Sequence, residues 1–384
     1  MLKNKIFKYL QKADQGYLEI TTPEHTKIEI GNPESDLKAT IKIKDWQLIN
    51  QVALHGDIGF GEAYIDNLFE TDNLINLLCF FAINQNKLEA IFHGNFLLST
   101  AAFIKTIFNK NTLKGSQKNI SFHYDISNDF FKIWLDESMT YSSGIFLNED
   151  ENLLTSQQNK YSRILQNINA NAASTLEIGC GWGGFLEVGA TNLQKIKALT
   201  ISQEQARFAK ERLANKNLSA EILIQDYRLE TGKFDNIVSI EMFEAVGREY
   251  WPQFFNKIKS CLNANGKALI QTITIDESIF KKYAKSSDFI RKYIFPGGFL
   301  PSQTIFEKLC EASDLKVLDK FCFAHSYYKT LKIWFDNFNQ NAAEIKKLNF
   351  DDAFIRKWQF YLAYCAAGFY ARRTDVVQYC LTHK

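Results

Sequence analysis

Several features that define whole classes of protein are missing from this sequence. Its seven cysteines are an odd number and form no C-x-x-C pair, which argues against a disulfide framework and against a zinc site. No apolar run reaches the roughly 18 residues of a membrane span, and the first residues lack the apolar core of a signal peptide. The net charge of +2 does not indicate a nucleic-acid binder. These absences favour a globular protein of a reducing cytoplasm.

Phenylalanine, in contrast, is abundant. The chain has 32 phenylalanines, and aromatic residues make up 14% of it. A Phe-rich hydrophobic core is the first interpretation. The alternative is that some of these rings line an apolar ligand tunnel, and the sequence leaves both open.

The first part of the chain has the pattern of a small α+β domain. Short alternating segments at 17–20, 27–30 and 39–44 predict the strands of a small antiparallel sheet. Gly56 begins a glycine-punctuated turn, and the apolar spacing of residues 62–95 is helical.

From residue 121 onward, apolar strand segments alternate with helical stretches. The strand segments are 175–178, 196–201, 220–224, 236–240 and 268–273, and helices are predicted, for example, at 203–214 and 251–261. This alternation predicts an α/β fold with a doubly wound parallel sheet and right-handed crossovers.

These patterns divide the chain into an N-terminal domain of residues 1–103, a linker of residues 104–120 and a larger domain of residues 121–384. The linker carries lysines and no acidic residue. A solvated linker is the first interpretation. A membrane-facing patch is the alternative, since each lysine near an anionic bilayer contributes about 1 kcal/mol. The lysines are Lys105, Lys110, Lys114 and Lys118.

The strongest local motif is Leu176-Glu-Ile-Gly-Cys-Gly-Trp-Gly-Gly184, between a strand and a helix. Gly179, Gly181 and Gly183 allow a tight turn and close approach of the backbone to a ligand. Their spacing differs from the dinucleotide pattern G-x-G-x-x-G. Glu177, two residues before the first glycine, suits the amino end of a cofactor that contains an amino acid.

The next two strand ends carry further candidate cofactor contacts. No acidic residue stands at the tip of the second strand, where a ribose partner is expected, so Thr200 and Gln205 are the polar candidates. After the third strand, Asp226 is placed to accept from an adenine amino group, with Tyr227 stacked nearby.

Other motifs follow one another in order through residues 121–384. They are His123-Tyr-Asp-Ile-Ser-Asn-Asp-Phe-Phe131, Trp134-Leu-Asp-Glu-Ser-Met-Thr-Tyr-Ser142, Phe234-Asp-Asn-Ile-Val-Ser-Ile-Glu-Met-Phe-Glu-Ala-Val-Gly247, Phe289-Ile-Arg-Lys-Tyr-Ile-Phe-Pro-Gly-Gly298 and Tyr327-Tyr-Lys-Thr-Leu331. Through these motifs the chain resembles the cyclopropane-fatty-acyl-phospholipid synthases, which are relatives of the mycolic acid methyltransferases. The resemblance implies a Rossmann-like class I methyltransferase that uses S-adenosylmethionine. It further implies a helical cover over an acyl pocket, and the region around Gly56 to Tyr64 resembles the family's lipid-associated N-terminal domain.

The resemblance also implies the ligands and the location. Residues at the family's cofactor-contacting positions are Tyr141, Ser142, Gly179, Thr200, Gln205, Asp226 and Tyr227. The implied substrate is a cis-unsaturated acyl chain of a membrane phospholipid, met by a cytoplasmic enzyme at the inner face of the membrane. No nucleic-acid partner is expected, and a homodimer is left open.

In the resembled family a bound bicarbonate is the usual base, and the residues that hold it are only partly kept here. Glu244, Ile273 and Tyr327 match, whereas Ser143 replaces a Cys and Gln271 replaces a His. Ser and Gln retain hydrogen-bond donors, so the anion is retained in one interpretation. In the other it is lost or repositioned, and a carboxylate acts as base directly.

Two acidic residues are candidates for that direct role. Glu241 replaces a usual Gly and Glu244 follows three residues later, with Ala245 in place of a usual His. A solvated, outward side chain is the competing interpretation for Glu241. For Glu244 and Tyr327 the competing interpretation is a structural role.

The expected function is methyl transfer to an unsaturated acyl chain, most simply giving a cyclopropane ring. A methyl- or methylene-branched chain is one alternative product, and a non-catalytic lipid-binding protein is another alternative. A methyltransferase of small molecules would lack the N-terminal domain and the Tyr141-Ser142 segment.

Overall fold

The computed structural model describes residues 2–92, 127–169, 171 and 173–384. The predicted linker with its lysines lies outside the described residues, as do both predicted domain boundaries and the beginning of the His123 motif. None of the helices in the described part combines the length and apolar character that a membrane crossing requires.

Helices and strands alternate through the described ranges. The helices are α1 (Leu2–Leu10), α2 (Gln47–His55), α3 (Asp57–Ile65), α4 (Leu74–Ile83), α5 (Gln85–Phe92), α6 (Asn128–Trp134), α7 (Leu153–Asn167), α8 (Gly184–Asn192), α9 (Gln203–Ala214), α10 (Trp251–Cys261), α11 (Glu277–Tyr283), α12 (Phe289–Tyr293), α13 (Gln303–Ala312), α14 (Ala324–Gln340), α15 (Ala342–Lys347) and α16 (Asp352–Tyr370). The strands are β1 (Tyr17–Thr21), β2 (Lys27–Gly31), β3 (Lys38–Ile43), β4 (Phe69–Glu70), β5 (Thr175–Ile178), β6 (Ile196–Thr200), β7 (Glu221–Ile224), β8 (Phe234–Ile240), β9 (Leu262–Ile275), β10 (Leu315–Cys322) and β11 (Thr374–His383).

These elements form two compact units that are interleaved along the chain. The first unit contains the described residues up to 92 together with Lys281–Ile294 and Leu331–Arg373. The second contains the described residues from 127 to 280, Phe295–Thr330 and Thr374–Lys384. This grouping differs from the predicted contiguous segment 121–384, because parts of its C-terminal half pack with the N-terminal residues.

The sheet of the first unit has the order β2-β1-β3-β4. Its first three strands lie where the alternating segments predict them. The predicted antiparallel arrangement is wrong for one pair, because β1 and β3 are parallel while β1–β2 and β3–β4 are antiparallel. Alternation along a strand indicates a buried face and carries no information on the direction of the neighbouring strand.

The glycine-punctuated stretch after Gly56 is a helix from its first residue. Gly56 itself has φ +62°, and α3 begins at Asp57. A Cβ at Gly59 would lie 2.1 Å from the carbonyl oxygen of Gln51 in α2, so this glycine permits the close approach of the two helices. In the same unit the ring of Phe60 packs on Phe360 of α16, with centroids 6.2 Å apart.

The second unit is built on a sheet with the order β10-β11-β9-β8-β5-β6-β7. Strands β5 to β9 are parallel to one another, which confirms the predicted doubly wound sheet, and β11 is antiparallel to both β9 and β10. Apolar side chains of α7, α8 and α9 form a core with β6 and β8, among them Ile164, Phe185, Ala206, Ala198 and Val238. Because β5 to β8 are parallel, the residues that follow them meet at one edge of the sheet.

Candidate active site

The glycine turn at the end of β5 has backbone conformations that only glycine adopts without strain. Gly179, Gly181 and Gly183 have φ values of +80°, +52° and +82°. A Cβ at Gly179 would approach Met242, and one at Gly183 would touch Ala209. At Gly181 a Cβ would meet nothing within 4 Å among the described residues. The backbone at Gly181 therefore borders open space that a ligand can occupy.

Glu177 lies in β5, immediately before this turn. Its side chain is buried, and its Oε2 atom has no hydrogen-bond partner among the described residues. Burial raises the pKa of Glu177 to about 8, against the opposing effect of Lys160 and Arg212. A buried carboxyl oxygen without a partner is unfavourable, so this position fits the amino group of an incoming ligand.

Thr200 and Gln205 form one buried polar pair at the end of β6. The hydroxyl of Thr200 donates to Gln205 Oε1 over 2.9 Å, and the backbone N–H of Ser202 donates to the Thr200 hydroxyl over 3.2 Å. Ser202 also caps α9 by accepting from the backbone N–H of Gln205. The two polar candidates from the sequence therefore lie within hydrogen-bond distance of each other.

Asp226 and Tyr227 follow β7, but the carboxylate of Asp226 already has a partner. Its two oxygens accept from Arg228, with distances of 2.9 Å to Nε and 2.6 Å to Nη2. An adenine amino group would therefore share an oxygen with that guanidinium. The ring of Tyr227 lies 5.6 Å from Phe254, centroid to centroid.

Tyr141 and Ser142 precede α7. The ring of Tyr141 lies 5.5 Å from Phe131 and 5.5 Å from Trp134. The hydroxyl of Ser142 accepts from Lys160 Nζ over 2.7 Å, and its carbonyl oxygen accepts from Gln157 Nε2 over 2.9 Å. Ser142 is thus held through both its side chain and its backbone.

Glu241 directly follows β8 and has a backbone conformation that glycine prefers. Its φ is +48°, and its backbone N–H donates to the carbonyl oxygen of Gln271. A left-handed conformation costs a non-glycine residue roughly 1–2 kcal/mol. The resembled family usually has Gly at this position, which needs no such strain. Strain of this kind is concentrated at residues whose side chains have a function.

The carboxylate of Glu241 accepts three hydrogen bonds from different elements. Oε1 accepts from the backbone N–H of Ser143 over 2.9 Å and from Gln271 Nε2 over 2.7 Å. Oε2 accepts from the hydroxyl of Tyr327 over 2.6 Å. The competing interpretation of a solvated, outward side chain is therefore wrong. Burial raises the pKa of Glu241, and these donors act in the opposite direction because they stabilise the anion.

The amide of Gln271 has a fixed orientation. Its Oε1 accepts from Gln378 Nε2 over 3.0 Å, and Gln378 Oε1 in turn accepts from Arg163 over 3.3 Å. Arg163 has donors only, so it forces the oxygen of Gln378 towards itself and the amide group of Gln378 towards Gln271. The NH2 group of Gln271 is consequently directed to Glu241.

The hydroxyl of Ser143 does not take part in this cluster. It donates to the carbonyl oxygen of Gly144 over 2.8 Å, whereas the backbone N–H of Ser143 serves Glu241. The replacement of the family's Cys by Ser therefore leaves the relevant donor unchanged, because that donor belongs to the main chain.

Glu244 lies close by in a different environment. Its Oε1 accepts from the hydroxyl of Thr272 over 3.0 Å and from the backbone N–H of Ile273 over 2.5 Å. Its Oε2 is buried without a hydrogen-bond partner among the described residues. Burial, followed by the charge of Glu241, raises the pKa of Glu244 to about 8. The raised pKa favours the protonated form of Glu244, whereas the donors around Glu241 favour its carboxylate form.

The bicarbonate implied by the resemblance does not fit this arrangement. Glu241 accepts from the backbone N–H of Ser143 and from the side chains of Gln271 and Tyr327. Glu244 accepts from the backbone N–H of Ile273. An added anion would find these donors occupied and would face a carboxylate of the same charge.

Sequence reasoning missed two residues of this cluster. Thr272 lies in β9 beside Gln271 and Ile273, and nothing in its sequence context marks it. Lys160 is buried in α7 among five other buried residues of the same helix face. A single lysine at apolar helical spacing is a signal that could have been recognised.

Comparison with known proteins agrees with this geometry. The model of the family described as mycolic acid cyclopropane synthetase matches residues 111–379. A crystal structure of the mycolic acid cyclopropane synthase CmaA1, complexed with SAH and CTAB, superposes with a TM-score of 0.65 at 29% identity. The superposed region covers 70% of this chain and 98% of the CmaA1 chain.

Two relatives align over longer stretches. The tuberculostearic acid methyltransferase UfaA1 of Mycobacterium tuberculosis is 34% identical over 345 residues, covering 87% of this chain and 81% of its own. The cyclopropane-fatty-acyl-phospholipid synthase of Escherichia coli is 33% identical over 345 residues, covering 88% of this chain and 87% of its own. The fold, the glycine turn and these matches define an S-adenosylmethionine-dependent methyltransferase. The chain belongs to the mycolic acid cyclopropane synthetase family, which confirms the resemblance seen in its motifs.

Proposed function

We propose that this enzyme methylates the double bond of a cis-unsaturated acyl chain in a membrane phospholipid, with Glu241 as the proton acceptor. The observation that carries the proposal is the convergence of Ser143, Gln271 and Tyr327 on the carboxylate of Glu241. In this proposal the carboxylate of Glu241 takes the place of the free bicarbonate of the resembled family.

The cofactor fits the carboxyl edge of the parallel sheet. In the proposal Ser142, Glu177 and the turn around Gly181 hold its amino-acid end, and Thr200 and Gln205 contact its ribose. When bound, S-adenosylmethionine supplies an electrophilic methyl group, whose addition to the alkene leaves a positive charge on the acyl chain. Glu177 has an unpartnered buried oxygen, and Gly181 borders open space, which supports this placement.

Glu241 serves the reaction in two ways. Its carboxylate lowers the energy of a nearby positive charge, and it accepts the proton that this charge makes acidic. Tyr327 and Gln271 keep the carboxylate in one orientation. If the proton leaves the newly added methyl group, its C–H electrons close a cyclopropane ring, and this is the product we propose.

A branched product is the second candidate. Loss of a proton from a neighbouring chain carbon gives a methyl-branched alkene, whereas a 1,2-hydride shift followed by loss of a proton from the new methyl group gives a methylene-branched chain. The observation that favours it is that Glu241 is tethered to the end of β8, so the acceptor cannot shift within the pocket as a free anion can. One relative is named a tuberculostearic acid methyltransferase and another a cyclopropane-fatty-acyl-phospholipid synthase, and their identities to this chain are nearly equal, 34% and 33%.

The phospholipid substrate is supported by the extent of the alignments. The relative named for a phospholipid substrate covers 88% of this chain, whereas the family model begins only at residue 111. The longer alignment therefore includes part of the N-terminal region.

Incubation with methyl-labelled S-adenosylmethionine and vesicles of a monounsaturated phospholipid tests the proposal. We expect label in the acyl chain, and mass spectrometry of the released fatty acid separates ring closure from branching. Vesicles of the matched saturated phospholipid are the control. Equal labelling of both vesicles, or of neither, would contradict the proposed acceptor.

A further inference from the structure

Lys160 is a fully buried lysine that the proposed chemistry does not use. It lies in α7 on the face that packs against the sheet, and its exposed fraction is 0%. An unpaired lysine is almost never buried to this extent, so its surroundings must stabilise it.

Two side chains bind its ammonium group directly. Lys160 Nζ donates to the hydroxyl of Ser142 over 2.7 Å and to Gln157 Oε1 over 2.6 Å. Gln157 also donates through Nε2 to the carbonyl oxygen of Ser142 over 2.9 Å. Lys160 and Gln157 together therefore fix the side chain and the backbone of Ser142.

The position of Ser142 matters for both halves of the site. Its hydroxyl is a proposed cofactor contact, and the next backbone N–H along the chain, that of Ser143, donates to Glu241. A rotation of the peptide between these two serines would move the donor away from the carboxylate.

The charges of three acidic side chains affect the pKa of Lys160. Glu241, Asp136 and Glu177 each favour its charged form, while burial lowers the pKa of Lys160 to about 7. The ring of Tyr161 lies 4.6 Å from Nζ and contributes a further favourable contact. In turn, the positive charge of Lys160 favours ionisation of Glu241.

We propose that Lys160 is a positioning residue that links the methyl-donor site to the proton acceptor. It fixes Ser142, and its charge favours the ionised form of Glu241. The part of this inference that concerns Glu241 rests on the proposed function, because Glu241 is the proton acceptor only under that proposal.

The experiment compares Lys160→Met with the control Lys197→Met. Lys197 forms an ion pair with Glu230 at 2.8 Å in the same unit and belongs to neither site. Calorimetry with S-adenosylhomocysteine measures binding without lipid. We expect Lys160→Met to weaken binding about tenfold or more, as for loss of a charge-assisted hydrogen bond. We expect the acidic limb of its pH–rate profile to move up by about one pH unit, because an opposite charge near Glu241 is lost.

A second variant separates position from charge. Gln157→Leu removes the contact with the carbonyl oxygen of Ser142 and one acceptor of the ammonium group but keeps the lysine, so binding should weaken and the acidic limb should move up less than in Lys160→Met. It also decides the binding half of the inference if Lys160→Met does not fold. Unchanged binding and an unmoved acidic limb in Lys160→Met, or changes equal to those of Lys197→Met, would overturn the inference. A wild-type enzyme that binds S-adenosylhomocysteine but never labels lipid would refute the proposed function alone.

Discussion

Replacement of Glu241 by glycine should convert the enzyme into one that depends on a free anion. The variant removes the carboxylate and leaves the backbone N–H of Ser143, the amide of Gln271 and the hydroxyl of Tyr327 directed at an empty space. A small carboxylate such as bicarbonate or formate can then accept the same hydrogen bonds.

The fold should survive this change. Three hydrogen bonds of about 0.5–1.5 kcal/mol each are lost. Glycine at φ +48° relieves strain of roughly 1–2 kcal/mol in return. The activity should fall much further than the stability, by about 10²- to 10⁴-fold, because a positioned general base contributes that much.

The assay is labelled methyl transfer in buffers freed of carbon dioxide, with and without added bicarbonate or formate. We expect the wild type to be indifferent to the anion and Glu241→Gly to recover at least about tenfold with it, a modest part of the general-base contribution. Glu241→Gln is the matched control, since its side chain still fills the space and should prevent rescue. A wild type that loses activity without bicarbonate, or a glycine variant that is fully active without any anion, would refute the assignment of Glu241.

Three further predictions concern its neighbours. Tyr327→Phe removes a donor to the ionised form of Glu241, so the rate at neutral pH should fall about tenfold and the acidic limb of the pH–rate profile should move up; an unchanged profile would argue for a purely structural tyrosine. The pKa of Glu244 is raised from 4.5 to about 8, so its contribution to stability is present below pH 4.5 and is lost as the pH rises through 8. Glu244→Gln, which is neutral throughout, should therefore weaken the decline in melting temperature between pH 5 and 9, and a decline as steep as in the wild type would contradict this. Gly181→Ala should weaken S-adenosylhomocysteine binding in calorimetry and lower the melting temperature less than Gly179→Ala does, because both substitutions strain a left-handed backbone but only the Cβ at position 179 would also meet Met242.

The parallel sheet was predictable because each of its central strands is a short apolar run followed by a helix. Strands β5 to β8 begin and end within about two residues of their predicted segments, as expected for strongly patterned elements. The pairing of β1 with β3 was not predictable, because it depends on which edge of β1 the chain reaches after β2. The grouping of α16 with the N-terminal residues depends on ring contacts between distant positions, such as Phe60 with Phe360.

The candidate site was predictable as a set of positions but not as a network. The motifs located Glu244, Gln271 and Tyr327, and the replacements at Ser143 and Gln271 identified an altered base site. The sequence does not show that Glu241 turns inward, since a glutamate after a strand is most often solvated. The direction of its side chain follows from the left-handed backbone and from three donors that come from separate elements.

The replacements around the base are consistent with one another once Glu241 is the acceptor. A histidine at position 271 would face a carboxylate and could take up a proton beside it, which would favour a charged pair in place of a free base. Glutamine donates a hydrogen bond but neither gains nor loses a proton near neutral pH. With Gln378 fixing its orientation, Gln271 therefore holds Glu241 without competing for the proton. The replacement of the family's His by Gln271 is therefore consistent with the proposed carboxylate base.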